Sequence, residues 1–175
     1  GGKGRGLAFI DSIIKNNPEC DNFEGAVIRI PHTVVLCTDI FDEFMEMNGL
    51  YPTALSNIPD AEILQAFLRA KLPESVQNDL YSLYAVFDGP LAVRSSSLLE
   101  DSHYQPFAGV YSTYMVPHFT DRDLPIRQLS DAVKGVYASV FFADSKAYMV
   151  ATSNVIDQEK MAVIIQEAVG VQHGD

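Results

Sequence analysis

The sequence predicts an α+β fold, and three observations carry that prediction. Apolar residues recur at helical spacing in several stretches, the longest running through Ile126, Leu129, Val133, Val136, Tyr137, Val140 and Phe141. Short apolar runs, Leu91 to Val93 and Met161 to Val169, read as strands. Helices and strands follow one another without strict alternation, which favours α+β over a doubly wound sheet.

Taken in order, Leu7, Ala8, Ile10, Ile13 and Ile14 have helical spacing, and Asn16-Asn17-Pro18 stops that helix. Ala26 to Ile30 and Thr33 to Leu36 read as short strands around Pro31-His32. Thr38 reads as an N-cap, with Asp39, Asp42 and Glu43 in the first turns of a helix that carries Ile40, Phe41, Phe44 and Met47 and ends at Asn48-Gly49. Pro52 to Pro59 reads as a loop. Ile63, Leu64, Phe67 and Leu68 mark the next helix. Pro73 opens another, with Val76, Leu80, Leu83, Tyr84 and Phe87 on one face. Asp88-Gly89-Pro90 turns the chain into the Leu91–Val93 strand, and Val110 to Val116 reads as a further strand.

The bulk numbers narrow the function. The 175 residues make one domain, or one domain with a small subdomain. At 47% hydrophobic, the chain builds a sizeable core and is not disordered. The net charge of −11 argues against nucleic acid or an anionic membrane as partner. Any polyanion bound here must meet a few locally concentrated cations. Cys20 and Cys37 form neither a disulfide framework nor a metal set, and no stretch reads as a membrane span or secretory signal. A cytoplasmic location is the default. Both ends interrupt sequence features, so the chain is expected to be a piece of a longer polypeptide.

Two elements point to phosphate. In Leu91-Ala92-Val93-Arg94-Ser95-Ser96-Ser97 an apolar run delivers one arginine into three serines. Arg94 reads as a fork on phosphate oxygens, with Ser95, Ser96 and Ser97 offering hydroxyls and backbone N–H groups. The alternative is a structural salt bridge from Arg94 to Glu100 or Asp101. Those two acids otherwise order the loop or lie one shell from a ligand. The second element is Gly1-Gly2-Lys3-Gly4-Arg5-Gly6 at the start of the first helix, which lacks Walker A spacing. Lys3 reads as a point charge on phosphate at a helix N-terminus, or as part of an ordinary glycine turn. Arg5 reads as a solvated surface residue.

Other positions stay two-sided. Gly109 is a turn or a close approach of backbone to ligand. Thr113 is a ligand contact or a plain strand residue. Gln166-Glu167 is an exposed strand end or a hinge whose backbone reads an adenine edge. His103 is a loop residue or a base, and Tyr104 and Tyr111 belong to core or to ligand stacking. His32, His103, His118 and His173 have no metal-ligand spacing.

The ordered set resembles the nucleotide-binding domain of the phosphoenolpyruvate synthase and pyruvate phosphate dikinase family, which includes glucan water dikinases and rifampin phosphotransferases. The matching motifs are Gly1-Gly2-Lys3-Gly4-Arg5-Gly6-Leu7, Thr38-Asp39-Ile40-Phe41, Val93 to Asp101, Phe107-Ala108-Gly109 with Thr113, and Ile165-Gln166. One departure is Ile30-Pro31-His32-Thr33, where the family often carries Pro-Pro-Gly-Phe.

The resemblance implies the N-terminal part of an ATP-grasp-like domain with a mixed sheet and flanking helices. It implies ATP held by Lys3 and Arg94 on the phosphates, lined by Gly109 and Thr113, with Gln166 and Glu167 beside the adenine. It implies Mg²⁺ bound by acidic residues beyond the glutamine strand, so that residues 1–175 hold no metal ligands. The second half of the grasp, the phosphohistidine domain and the acceptor domain would lie outside this chain. The parent enzyme would pass phosphoryl from ATP through a histidine to pyruvate, and this chain alone is expected to be inactive. The alternatives are a glucan or antibiotic acceptor, a non-catalytic nucleotide sensor or interaction module, and a plain binding domain whose Arg94 makes only a salt bridge.

Overall fold

The computed structural model describes residues 2–21, 23–87, 89–97, 99–101, 109–117, 123–152, 156 and 159–170. Gly1, Leu98, His103, Tyr104, Phe107, Ala108, His118 and His173 lie outside the described residues, as does the Asp101 side chain.

The first helix, α1 (Gly2–Asn16), ends where Asn16 and Asn17 donate side-chain N–H groups to the Ser12 and Ile13 carbonyls. Those bonds satisfy acceptors that a helix C-terminus leaves open. The apolar stripe is not a core face here: no residue of α1 is buried, and Phe9 is 67% exposed. Lys3 sits in the first turn, as its glycine-rich setting predicts.

Strand β1 (Thr33–Leu36) forms, but no strand forms over 26–30. Residues 26–29 are exposed, with Val27 78% open, and no neighbouring strand pairs with them. Helix α2 (Thr38–Met47) buries Phe41, Phe44 and Met45 and stops at Asn48, followed by Gly49 at φ +58°. Its cap position is Cys37, still extended from β1, so Thr38 is the first helical residue and not the cap. The stretch expected as a loop begins with a short helix, α3 (Tyr51–Leu55). Pro52 is tolerated there because a first-turn N–H has no intrahelical acceptor.

Helices α4 (Asp60–Arg69) and α5 (Glu74–Tyr84) bury Ile63 and Phe67, and Val76, Leu80 and Tyr84. The long stripe becomes α6 (Asp123–Ser139). It is followed by α7 (Ala143–Ala151), which sequence periodicity did not mark. Asp60 accepts the Ala143 N–H at 2.9 Å, so a residue of α4 caps α7. Phe41 meets Tyr137 edge-on at 5.1 Å between ring centroids, and Phe67 meets Phe141 at 5.8 Å. Phe44 meets Phe67 at 5.9 Å, so helices α2, α4 and α6 are joined through one aromatic core. No helix among the described residues is long and apolar enough to cross a membrane.

The sheet contains β1, β2 (Leu91–Ser96), β3 (Thr113–Val116) and β4 (Ala162–Glu167) in the order β1-β4-β2-β3. Every pairing is antiparallel, which corrects the expected mixed sheet. β1 and β2 both pair antiparallel with β4, so they run in the same direction. They are not neighbours, because β4 lies between them. The architecture is therefore α+β with a small antiparallel sheet. Alternation along the strands separates two faces. Val34, Leu36, Leu91, Val93, Val116, Val163 and Ile165 share the inner face and belong to or pack against the hydrophobic core.

Candidate functional site

Of the candidate residues, Arg94, Ser96, Thr113 and Gln166 lie on the other face of the sheet, and Ser95 and Glu167 on the inner one. Strand pairing sets Arg94, Thr113 and Gln166 in two cross-sheet rows. One row reads Thr33, Gln166, Ala92, Met115, and the other Val35, Ile164, Arg94, Thr113. Arg94 is exposed, directly opposite Thr113 on β3. Among the described residues it makes no ion pair, so the salt bridge weighed for it to Glu100 is not formed. Gln166 donates its side-chain N–H to Thr33 Oγ1 at 2.9 Å, and Thr33 in turn donates to the Pro31 carbonyl. This chain of bonds fixes the Gln166 amide on the face. Sequence reading missed Thr33, whose role appears only once β1 and β4 are paired.

Glu167 does not join Gln166. Successive strand residues point to opposite faces, and Glu167 Oε2 lies 3.5 Å from His32 Nδ1. The Glu167 N–H donates to the His32 carbonyl and the Ala168 N–H to the Pro90 carbonyl. Both backbone donors just past Gln166 are therefore already used within the chain.

Helix α1 reaches the outer face near Val35 and Ser96. The Gly4 N–H donates to Ser96 Oγ at 3.3 Å, and a Cβ on Gly4 would sit 3.3 Å from Val35 Cγ2. Gly4 thus lets the helix N-terminus approach the sheet closely. A cleft of about 330 Å³ opens between α1 and β1, lined by Gly4, Leu7, Thr33 and Val35 among others. Thr33 links it to the Gln166 row.

Lys3 donates to the Ser95 carbonyl at 3.2 Å and lies 2.5 Å from Glu100 Oε1. Ser95 Oγ donates to the same Oε1 at 2.7 Å, the Ser97 N–H donates to Oε2 at 3.0 Å, and the Glu100 N–H donates to Ser97 Oγ at 3.3 Å. The Ser95 and Ser96 hydroxyls are buried and engaged in tying the loop and α1 together. Glu100 orders the loop, one of the two roles its sequence position left open.

Behind Ser97 lies a second polar cluster. Ser97, Tyr111 and Glu159 come together there, and all three are buried. Burial pushes the Glu159 carboxyl above its ordinary range, opposed by the neighbouring Ser97 and Tyr111 hydroxyls and reinforced by the nearby Glu100 charge. Burial, then Glu159, likewise drives the Tyr111 phenol well above its ordinary value. Tyr111 therefore belongs to the interior. Glu159 was not singled out from sequence, because nothing local distinguishes it from a surface acid.

Gly109 is exposed and holds φ +83°, a left-handed conformation that disfavours any side chain. Among the described residues no group of three or more His, Cys, Asp or Glu side chains is placed to hold a metal ion. Glu100 is taken by Lys3, Ser95 and Ser97.

Comparison with known proteins gives a consistent picture. A family model described as the pyruvate phosphate dikinase AMP/ATP-binding domain matches residues 1–174. The chain is 28% identical over 139 residues to a Bacillus subtilis protein named uncharacterized phosphotransferase YvkC, covering 79% of this chain and 16% of that protein. It is 25% identical over 169 residues to a probable phosphoenolpyruvate synthase of Methanothermobacter thermautotrophicus, covering 84% of this chain and 24% of that protein. The chain thus spans a quarter or less of the length of these relatives.

Proposed function

The chain belongs to the pyruvate phosphate dikinase AMP/ATP-binding domain family, and from that premise we propose that its outer sheet face holds ATP for a phosphoryl-transfer reaction. The observation that carries this reading is the placement of Arg94, Thr113 and Gln166 on one face, in two adjoining rows, although they come from three strands. Arg94 supplies a planar, permanently charged fork for phosphate oxygens. Thr113, directly across from it, offers a hydroxyl to the same group. Gln166, with its amide held by Thr33, lies toward the adenine end. Gly109 sits just ahead of β3 with no Cβ to exclude a ligand. Lys3, at the edge of this face, is the second phosphate cation.

In this reading the residues bind, orient and neutralise charge, which is most of what phosphoryl transfer asks of a protein. The domain is the N-terminal part of an ATP-grasp-like unit. In this reading the whole protein passes phosphoryl from ATP through a histidine to pyruvate; the relative named a probable phosphoenolpyruvate synthase supports the acceptor, and the histidine step is what the family resemblance implies. Its setting is cytoplasmic, and residues 1–175 alone do not turn over ATP.

Titration of the chain with ATP, followed by backbone amide NMR and thermal unfolding, tests the proposal. Amides of Arg94, Thr113 and Gln166 should shift together. At 100 times its dissociation constant ATP should add about 2.7 kcal/mol of stability. Absence of both effects at saturating ATP overturns the assignment.

A further inference from the structure

Two candidate cations lie at the end of β2, and they are in different states. Arg94 stands exposed, whereas the Lys3 amine is tied to a carboxylate whose side chain is 4% exposed. That carboxylate is anchored independently of Lys3. Ser95 donates to one oxygen and the Ser97 N–H to the other. Lys3 is 31% exposed and sits on a flexible four-carbon stem. The anion is therefore fixed and the cation is the movable partner. If Lys3 leaves, Glu100 keeps hydrogen bonds to both oxygens, which lessens the cost of leaving a buried carboxylate without its counter-ion.

We propose that Glu100 is a positioning residue that competes with phosphate for Lys3, so that the Lys3–Glu100 ion pair acts as a latch opened by the arriving anion. This rests on the reading of the face as a phosphate site. The unliganded chain parks Lys3 beside the serine loop, and a polyphosphate must draw the amine off Glu100 to engage it. The ion pair lowers affinity for the anion and keeps the Glu100 charge neutralised while the face is empty. Binding then couples to Ser95 and Glu100, because the atoms released by Lys3 are the Ser95 carbonyl oxygen and a Glu100 carboxylate oxygen. No covalent step is involved.

The test compares Glu100→Gln, Lys3→Met and the double variant with the unaltered chain, using ATP and inorganic triphosphate as probes in calorimetric titrations. Glu100→Gln keeps the side-chain volume and one acceptor but removes the charge. It should bind triphosphate about tenfold more tightly, the equivalent of one charge-assisted hydrogen bond. The gain should vanish when Lys3→Met is added. A purely structural Glu100 predicts weaker or unchanged binding in either background, and that result overturns the latch. Should Glu100→Gln fail to fold, amide NMR of the unaltered chain decides. The Ser97 and Glu100 amides should shift on adding triphosphate, and should not do so in Lys3→Met. Shifts at Arg94 with none at Ser97 and Glu100 overturn the latch. ATP binding with no gain in Glu100→Gln leaves the ATP reading standing and removes only the latch. If no version of the chain binds either probe, both fall.

Discussion

Replacing Arg94 by methionine separates a ligand-binding arginine from a structural one. Methionine keeps an unbranched apolar stem but removes the guanidinium. Arg94 is exposed and makes no ion pair among the described residues, so the fold loses little. Surface substitutions of this kind change stability by about 0.5 kcal/mol or less. Binding should suffer far more. Hydrogen bonds to charged groups contribute about 1.5–3 kcal/mol, which corresponds to a roughly ten- to hundredfold weaker ATP complex. Arg94→Lys should fall between the two, since it keeps the charge and loses the fork. Calorimetric titration with ATP gives the affinity, and urea unfolding of the same samples gives the stability. A destabilisation above about 1 kcal/mol with ATP affinity intact would refute the reasoning, because it would mean that Arg94 serves the fold and not the ligand.

Three further outcomes follow from the packing. Phe41→Ala removes a fully buried ring that meets Tyr137 and Phe141, and should cost about 3–5 kcal/mol by urea unfolding; a loss under about 1 kcal/mol would contradict the assigned core. Gly135→Ala places a Cβ 2.6 Å from the Tyr114 ring, so it should destabilise by about 1–3 kcal/mol despite a more favourable helix propensity. Its penalty should disappear in a Tyr114→Ala background, and strict additivity would count against the clash. Glu159→Gln tests the buried carboxyl. Because its folded value is raised, ionised Glu159 penalises folding above that value. The penalty fades as pH falls through the folded value and is gone below the ordinary glutamate range of about 4.3. The variant should therefore be more stable than the unaltered chain at neutral pH, with the gain shrinking on acidification. A gain that does not depend on pH would argue against this origin.

The helices were legible because a 3.6-residue period leaves a mark within a dozen residues. Phe41 and Phe44, Ile63 and Phe67, and Val76 and Leu80 are buried where their spacing places them. The same signal misled at α1, whose stripe is left half open, because a local pattern does not state what will cover it. Residues 26–30 look as strand-like as Thr33 to Leu36, yet only the latter segment finds a partner in β4. The chemical residues were recognisable by type, but their grouping was not. Gln166 and Glu167 are neighbours in sequence and lie on opposite faces, a consequence of strand parity. Lys3 and Glu100 are far apart in sequence and share a contact that depends on α1 docking against the end of β2. The salt bridge weighed for Arg94 formed at Lys3 instead, because Arg94 points outward while the loop folds its acid toward the helix.

The position of β4 bears on how the chain reaches this state. β1 and β2 are its two flanking strands, and both precede it in sequence, β1 by well over a hundred residues. Until residues 162–167 emerge from the ribosome, a facing edge of each strand waits with unpaired backbone groups beside an empty slot. The helical layer and the β2–β3 pairing can form from contacts already synthesised, but the sheet closes only with its final segment. Such late, long-range pairing slows folding and prolongs the interval in which open edges can capture other chains. A nascent chain stalled before residue 162 should be the species that molecular chaperones hold, and the outer face would become a single surface only at the last step.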